Sequence, residues 1–166
     1  MRMFGKRHIL SVSAVVFSVF ALAPVAGAAT KTSAVLTLLQ DVNRTRVAHH
    51  LRPLRVDGTL VRAAQSHSSS MLAGNYFAHG DFHGRMVAFH VVGPVAGENL
   101  AWGSGDLATP RAMVRAWMQS AEHRANLLDR HFADVGIGVA PGAPVALEPG
   151  ELGGTYVTDF GRRLKG

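Results

Sequence analysis

The residues of this chain best able to do chemistry are its nine histidines, which are spread over 166 positions together with eleven acidic side chains. No Gly-x-Ser-x-Gly elbow surrounds any serine, and no His-Glu-x-x-His pair occurs. The local signatures of an α/β-hydrolase serine and of a helical zinc protease are therefore both missing. Chemistry that uses these histidines needs residues that the fold brings together from separate segments.

Ser120 precedes His123 by three positions, an arrangement that could supply a nucleophile and its base. However, Ser120 stands where a short helical pattern begins, and a hydroxyl at that position usually accepts hydrogen bonds from backbone N–H groups. We expect Ser120 to cap a helix that runs to Leu128, so the sequence does not favour a serine hydrolase.

The other histidines differ in their surroundings. His67 falls on the apolar stripe of a helix, which predicts a core histidine with a local hydrogen bond. His83 and His90 lie among glycines and could be additional metal ligands, although a solvated loop is the simpler interpretation. The remaining histidines of the mature chain are expected at the surface: His49, His50 and His131.

The N-terminus has the three parts of a secretory signal peptide. Met1–His8 is basic, Ile9–Ala29 carries no charge, and Pro24 precedes the small residues Ala26–Ala28. We expect cleavage after Ala28, giving a leader over 1–28 and one mature domain over 29–166. The alternative is an uncleaved anchor, since the 21 uncharged residues could just span a bilayer.

Composition narrows the classes of partner. The leader holds three of the 17 basic side chains and no acidic ones, so the mature chain has a net charge of only +3. No basic stripe with interleaved aromatics is visible, which argues against nucleic-acid binding. The chain has no cysteine, and an exported domain without disulfides fits a bacterial envelope or medium best.

Two helices are predicted at the start of the mature chain. Val35, Leu38, Leu39 and Val42 form one apolar stripe, which fades at His49 and cannot continue through Pro53. Asp57 is expected to cap a second helix that ends at Gly74-Asn75. Asn43 and Arg46 are expected to join the first helix to the sheet.

The second half of the chain changes from helix to strand. Tyr76–Gly105 has glycine punctuation and predicts irregular structure, whereas Thr109-Pro110 predicts a sharp helix start. The alternating Val135–Val139 and the β-branched Thr155–Phe160 predict an antiparallel hairpin with a long loop. The expected fold class is α+β, with helices flanking a small antiparallel sheet.

A series of motifs carries a resemblance to a known family. They are Asn43-x-x-Arg46, Leu51–Leu54, Ala64-x-x-His67, Phe77–His79, Gly97–Leu100, the block from Trp117 to Leu128, Val135–Gly138 and Tyr156–Gly161. In this order they resemble the CAP superfamily (cysteine-rich secretory protein, antigen 5, pathogenesis-related 1) in its cysteine-free bacterial form. The resemblance implies an α-β-α sandwich and an extracellular setting.

The resemblance also implies a cleft of two histidines and two acids that can hold a divalent metal. His79 and His123 match the histidines and Glu98 one acid, whereas Ser120 stands in the place of the second acid. Glu122 lies two positions further on and would point elsewhere on a helix. Two imidazoles and a carboxylate with one position left for water form a catalytic zinc set, so the resemblance implies zinc or another divalent metal as the cofactor, with no cofactor as the alternative.

Two functions follow as hypotheses. The first is a secreted, monomeric binding module whose cleft holds a metal, a lipid or a peptide, with no nucleic-acid partner and no membrane span after leader cleavage. The second is a metal-dependent hydrolase of envelope or extracellular polymers, in which metal-bound water near His79 and His123 would attack. Because the second acid is missing, the sequence favours the binding module.

Overall fold

Four strands form the central layer of the computed structural model, which describes residues 25–91, 93–94 and 96–162. The strands are β1 (Arg55–Val56), β2 (Ala96–Ser104), β3 (Asp134–Pro141) and β4 (Gly153–Gly161). Their order in the sheet is β1-β3-β4-β2. The pairs β3–β4 and β2–β4 are antiparallel, and the two residues of β1 run parallel to β3.

Within the described residues, five helices cover the two faces of this sheet. They are α1 (Val25–Ala48), α2 (Gly58–Gly74), α3 (Phe82–Ala88), α4 (Pro110–Gln119) and α5 (Ala121–Leu128), and a 3-10 turn spans Gly105–Ala108. α1, α4 and α5 share one core with the inner face of β3. α2 packs on the opposite face, with α3 beside it. The predicted α+β sandwich is confirmed, with one short parallel pair in addition.

The first helix forms as its apolar stripe predicts. Leu38 and Val42 are fully buried in the core, and α1 ends at Ala48. Asn43 then accepts a hydrogen bond from the Leu54 N–H (2.8 Å) and donates one to the Leu54 carbonyl (3.1 Å). These two bonds join α1 to the segment that leads into β1, as predicted.

The leader prediction falls mainly on residues 1–24, which lie outside the described part of the chain. α1 begins at Val25 and therefore includes the predicted cleavage position after Ala28. From residue 25 to residue 162, none of the described helices is both long enough and apolar enough to cross a membrane. The cleavage after Ala28 stays a prediction.

α2 rests on β3 with almost no side-chain volume between them. A Cβ added to Gly136 would lie 2.0 Å from the Leu60 carbonyl carbon, and one added to Gly138 would lie 2.2 Å from the Ala64 oxygen. The cap of α2 is the predicted one, since Asp57 accepts hydrogen bonds from the N–H groups of the first turn. The two glycines thus set the distance between α2 and the sheet.

The helix starts around residue 110 are partly as predicted. The Thr109 hydroxyl accepts a hydrogen bond from the Ala112 N–H, and Pro110 occupies the first turn of α4. Ser120 does occupy the N-cap position of α5, but its hydroxyl makes no capping hydrogen bond. The prediction that this hydroxyl is committed to the helix was therefore wrong.

The region 76–105 is more ordered than its glycines predict. It contains α3 and the nine residues of β2, which pair with β4 from Ala96↔Gly161 to Ser104↔Gly153. The sequence did not predict this strand because Glu98 and Asn99 interrupt its apolar pattern, although both side chains are buried. A buried acid in a strand needs partners, and these partners form the site described next.

Candidate functional site

The Glu98 side chain is the centre of a buried polar cluster between β2, α2 and α3. Only 2% of this side chain is exposed. Its Oε1 lies 2.7 Å from His79 Nδ1, and its Oε2 contacts the Arg85 guanidinium. His67 Nε2 lies 3.8 Å from the same Oε2. Both oxygens of the carboxylate are therefore engaged by side chains of the chain itself.

The contact with Glu98 fixes how His79 presents its ring. An ionised carboxylate can only accept hydrogen bonds, so we assign the proton of the contact to Nδ1. In the neutral ring the lone pair then belongs to Nε2. The His79 side chain is 57% exposed, so a molecule in solution can reach Nε2. A histidine held through one nitrogen by a carboxylate offers the other in a defined direction.

Arg85 positions the loop of His79 as well as Glu98. Its guanidinium donates a hydrogen bond to the His79 carbonyl (3.1 Å) while also contacting Glu98. The same guanidinium lies 5.6 Å from the centre of the Phe82 ring. Because α3 was not predicted, no sequence pattern placed Arg85 in the cleft.

His67 is the core histidine that the stripe of α2 predicts. It is almost fully buried, and its Nε2 lies 3.0 Å from the Ala78 carbonyl. Burial lowers the pKa of His67, with the Glu98 charge partly opposing that shift. The neutral ring therefore donates to Ala78 and holds the residue next to His79 in place.

His123 approaches the same cluster from α5. Its carbonyl accepts a hydrogen bond from the Asn99 amide (2.9 Å), and Asn126 donates to the Glu98 carbonyl (3.1 Å). Burial lowers the pKa of His123, the neighbouring His79 lowers it further, and Glu122 partly opposes the shift. The structure thus brings His79 and Glu98 into direct contact and ties the His123 backbone to the residue next to Glu98.

A second carboxyl group, Asp159, lies beside Glu98 and was not predicted. Asp159 is opposite Glu98 in the β2–β4 register and is fully buried. Neither of its oxygens receives a hydrogen bond from a donor in the described part of the chain. Burial and then the Glu98 charge raise the pKa of Asp159 well above its usual value, because both oppose a second negative charge at this position. The sequence signal that could have identified Asp159 is a single acidic residue within a strand of β-branched and aromatic residues.

Asp159→Asn should raise stability at the alkaline end of the range. The folded-state pKa of Asp159 lies above the unfolded value of about 3.9. The native state therefore binds more protons between the two values, and stability falls as pH rises through that window. Asparagine has no proton to lose and carries no charge beside Glu98, so the variant should gain on the wild type as pH rises, by on the order of 1 kcal/mol for each pH unit of that window.

Urea unfolding at pH 4 to 8 measures this difference. Exposed Asp106→Asn serves as the control, and its curve should run parallel to that of the wild type. A difference between Asp159→Asn and wild type that is independent of pH would contradict the raised pKa of Asp159.

The donor set does not fit a metal held by three protein ligands, which is what a catalytic zinc needs. Glu98 would be the third ligand, but its oxygens are bound by His79 and Arg85. Ser120 offers only a neutral hydroxyl at the position of the second acid. Over residues 25–91, 93–94 and 96–162, no three histidine or acidic side chains are grouped so as to hold a metal. In this structure the Glu98 carboxylate orients the His79 ring through a hydrogen bond and is not free to bind a metal.

A cavity of about 420 Å³ lies beside α3. Its wall is mainly apolar, with Phe82, Met86 and Val91 among the residues that line it. His83 and His90 also line this cavity, whereas His79, Glu98 and His123 do not. The two histidines that the sequence offered as additional ligands therefore border a separate, largely apolar space.

The pattern of the cysteine-rich secretory protein family, CAP, matches residues 39–146. The chain belongs to the CAP family. The resemblance on which the cleft was predicted is thus confirmed. Three of its motifs carry the three predicted residues: Phe77–His79, Gly97–Leu100 and the block from Trp117 to Leu128.

Curated relatives of this CAP chain come from Bacillus subtilis (strain 168). The protein YkwD is 38% identical over 106 residues, which are 61% of this chain and 40% of YkwD. The membrane protein YlbC is 33% identical over 114 residues, 66% of this chain and 32% of YlbC. The chain therefore spans less than half the length of these relatives.

Solved structures share the CAP fold. An extracellular protein containing an SCP domain from Bacillus anthracis str. Ames superposes with a TM-score of 0.66 at 27% identity, covering 80% of this chain and 41% of that one. An outer surface protein from Borrelia burgdorferi gives a TM-score of 0.64 at 20% identity, covering 81% of this chain and 96% of that one. The second similarity shows the fold alone.

Proposed function

We propose that this chain is an extracellular binding module of the CAP family whose ligand contacts His79 and His123. The observation that carries the proposal is the His79–Glu98 hydrogen bond of 2.7 Å, which orients an exposed imidazole. The lowered pKa of His123 adds a second ring that is neutral at pH 7. Two such rings can accept hydrogen bonds from a ligand or bind a soft cation.

The extracellular setting rests on three supports. The leader over 1–28 has the composition of a signal peptide, and the domain over 29–166 has no cysteine. The similar SCP-domain protein from Bacillus anthracis is extracellular. We therefore place the mature chain in a bacterial envelope or medium, as a monomer that binds a metal, a lipid or a peptide.

A hydrolase is the second candidate, and one observation favours it. A histidine oriented by a carboxylate through Nδ1 has the arrangement of a general base. The metal-dependent form of this hypothesis needs a third protein ligand for the metal. Glu98 does not provide it, because its Oε2 is bound by Arg85. Binding is therefore the function that the geometry supports better.

Native mass spectrometry of the protein collected from the growth medium tests the binding module. A bound mass is expected on the wild type and should be absent from the His79→Ala, His123→Ala double variant. The variant His49→Ala is the control, because His49 is exposed, follows the end of α1 and is not part of the Glu98 cluster. Product release from envelope polymers that is lost in the double variant would support the hydrolase.

Zinc affinity should depend on Arg85, because Arg85 binds the Glu98 carboxylate. We expect the wild type to bind zinc only weakly, through two imidazoles. Arg85→Met frees Oε2 of the Glu98 carboxylate and should strengthen zinc binding about tenfold or more, since a charged third ligand joins the two neutral imidazoles. Calorimetric titration of wild type and variant measures the change. Equal zinc affinity in the two proteins would show that Glu98 does not face the imidazole pair.

A further inference from the structure

A second cleft, of about 900 Å³, lies between the end of α1, the start of β1, the α5–β3 connection and the end of β4. No acidic side chain is among the described residues that line it. The cationic and titratable residues in its lining are Arg46, His50, Arg52, Arg55, Arg130, His131 and Arg162. The sequence shows no basic stripe, because the fold gathers these residues from three distant segments, 46–55, 130–131 and 162.

The positive charge of three of these arginines is not balanced by an ion pair within the described residues. Arg52, Arg130 and Arg162 are exposed, and none forms an ion pair with a carboxylate in the described part of the chain. The acidic residues Asp134 and Asp129 lie near the cleft, but each pairs with a lining residue other than these three arginines. Asp134 pairs with Arg55 at 3.0 Å, and Asp129 holds His131 at 2.8 Å. The cleft therefore has an excess of positive charge.

Arg46 fixes the backbone that carries two of the exposed arginines. It is 1% exposed, and it donates to the carbonyl of Arg52 through Nε (3.0 Å). Its Nη1 donates to the carbonyls of Leu127 (2.8 Å) and Asp129 (3.0 Å). Arg46 thus holds the segments that present Arg52 and Arg130 in one arrangement. Such preorganisation lowers the cost of binding.

We propose that this cleft binds an anion that carries several phosphate groups. The planar guanidinium fork matches phosphate oxygens in bidentate fashion. Three unpaired guanidiniums around a space of about 900 Å³ exceed what a single phosphate needs, so a chain of phosphates fits better. None of His79, Glu98 and His123 lines the cleft, so the proposal does not rest on the proposed function.

Inorganic tripolyphosphate is the probe for this site. Calorimetric titration of the purified chain should show binding that weakens as salt rises. Arg130→Glu should lower the affinity at least about tenfold, and the double variant Arg52→Glu, Arg130→Glu about a hundredfold, because each removes a charge-assisted contact. Arg115→Glu makes the same charge change on the exposed face of α4, outside the cleft, and should change the affinity less than about twofold.

Citrate, a tricarboxylate, tests the preference for phosphate. Weaker binding of citrate than of tripolyphosphate supports the proposal. Three results would overturn it: no binding of tripolyphosphate at millimolar concentration, an equal loss in Arg115→Glu, or tighter binding of citrate. Circular dichroism of each variant confirms that these surface changes leave the fold intact.

Discussion

Gly138→Ala is expected to lower the free energy of unfolding by about 3 kcal/mol, at the upper end of what added core volume costs. A Cβ at this position would lie 2.2 Å from the Ala64 oxygen and 2.5 Å from the Gln65 nitrogen. Both are backbone atoms, so no side-chain rotation relieves the clash and α2 itself must move. The move would also strain the paired hydrogen bonds, each 3.2 Å, between Gln65 and Val139.

Urea unfolding of the variant measures this loss. Gly58→Ala is the matched control, because a Cβ there meets only the flexible end of Arg62 at 3.7 Å. That substitution should leave stability unchanged or raise it by up to about 1 kcal/mol. If Gly138→Ala were as stable as Gly58→Ala, α2 would not rest on β3 in the way described.

Arg46→Met should cost about 4 kcal/mol, since it leaves several buried acceptors without a donor. The methionine fills part of the space but donates nothing, so the carbonyls of Arg52, Leu127, Asp129 and Phe132 lose their donor. Each buried acceptor left unpaired costs ~1–3 kcal/mol, reduced where water can enter. Relief from burying a cation offsets part of this loss.

Arg44→Met is the control for that change. The Arg44 side chain is 67% exposed and pairs with Asp41 within the same helix. Such surface pairs contribute ~0–1 kcal/mol, so the control should unfold close to the wild type in urea. Equal stability of the two variants would mean that the Arg46 hydrogen bonds contribute nothing net.

The elements that could be predicted are those with local signals. The stripe of α1, the Asp57 cap and the Thr109-Pro110 start depend on neighbours in the chain, and all three are present. β2 could not be predicted, because its stability comes from pairing with β4 and from the partners of Glu98. The Ser120 position was predicted correctly but its hydrogen bond was not, since the choice of partner depends on side-chain rotation.

The residues of the candidate site also fall into those that the sequence could predict and those that it could not. His79, Glu98 and His123 were named only through the family resemblance, because no spacing within the sequence joins them. Arg85 and Asp159 carry no such signal. Each reaches Glu98 only after α3 has docked or β2 has paired with β4. The charge balance of the cluster is therefore a property of the tertiary structure.

The strand order has a consequence for how fast the chain folds. In the sheet β1-β3-β4-β2, only β3 and β4 are neighbours both in the sheet and in the sequence. Arg55 pairs with Asp134, 79 residues further along the chain. Closing such long loops before their contacts form slows folding relative to a helical bundle of the same length. Slower folding suits a polypeptide that is proposed to cross a membrane before it folds.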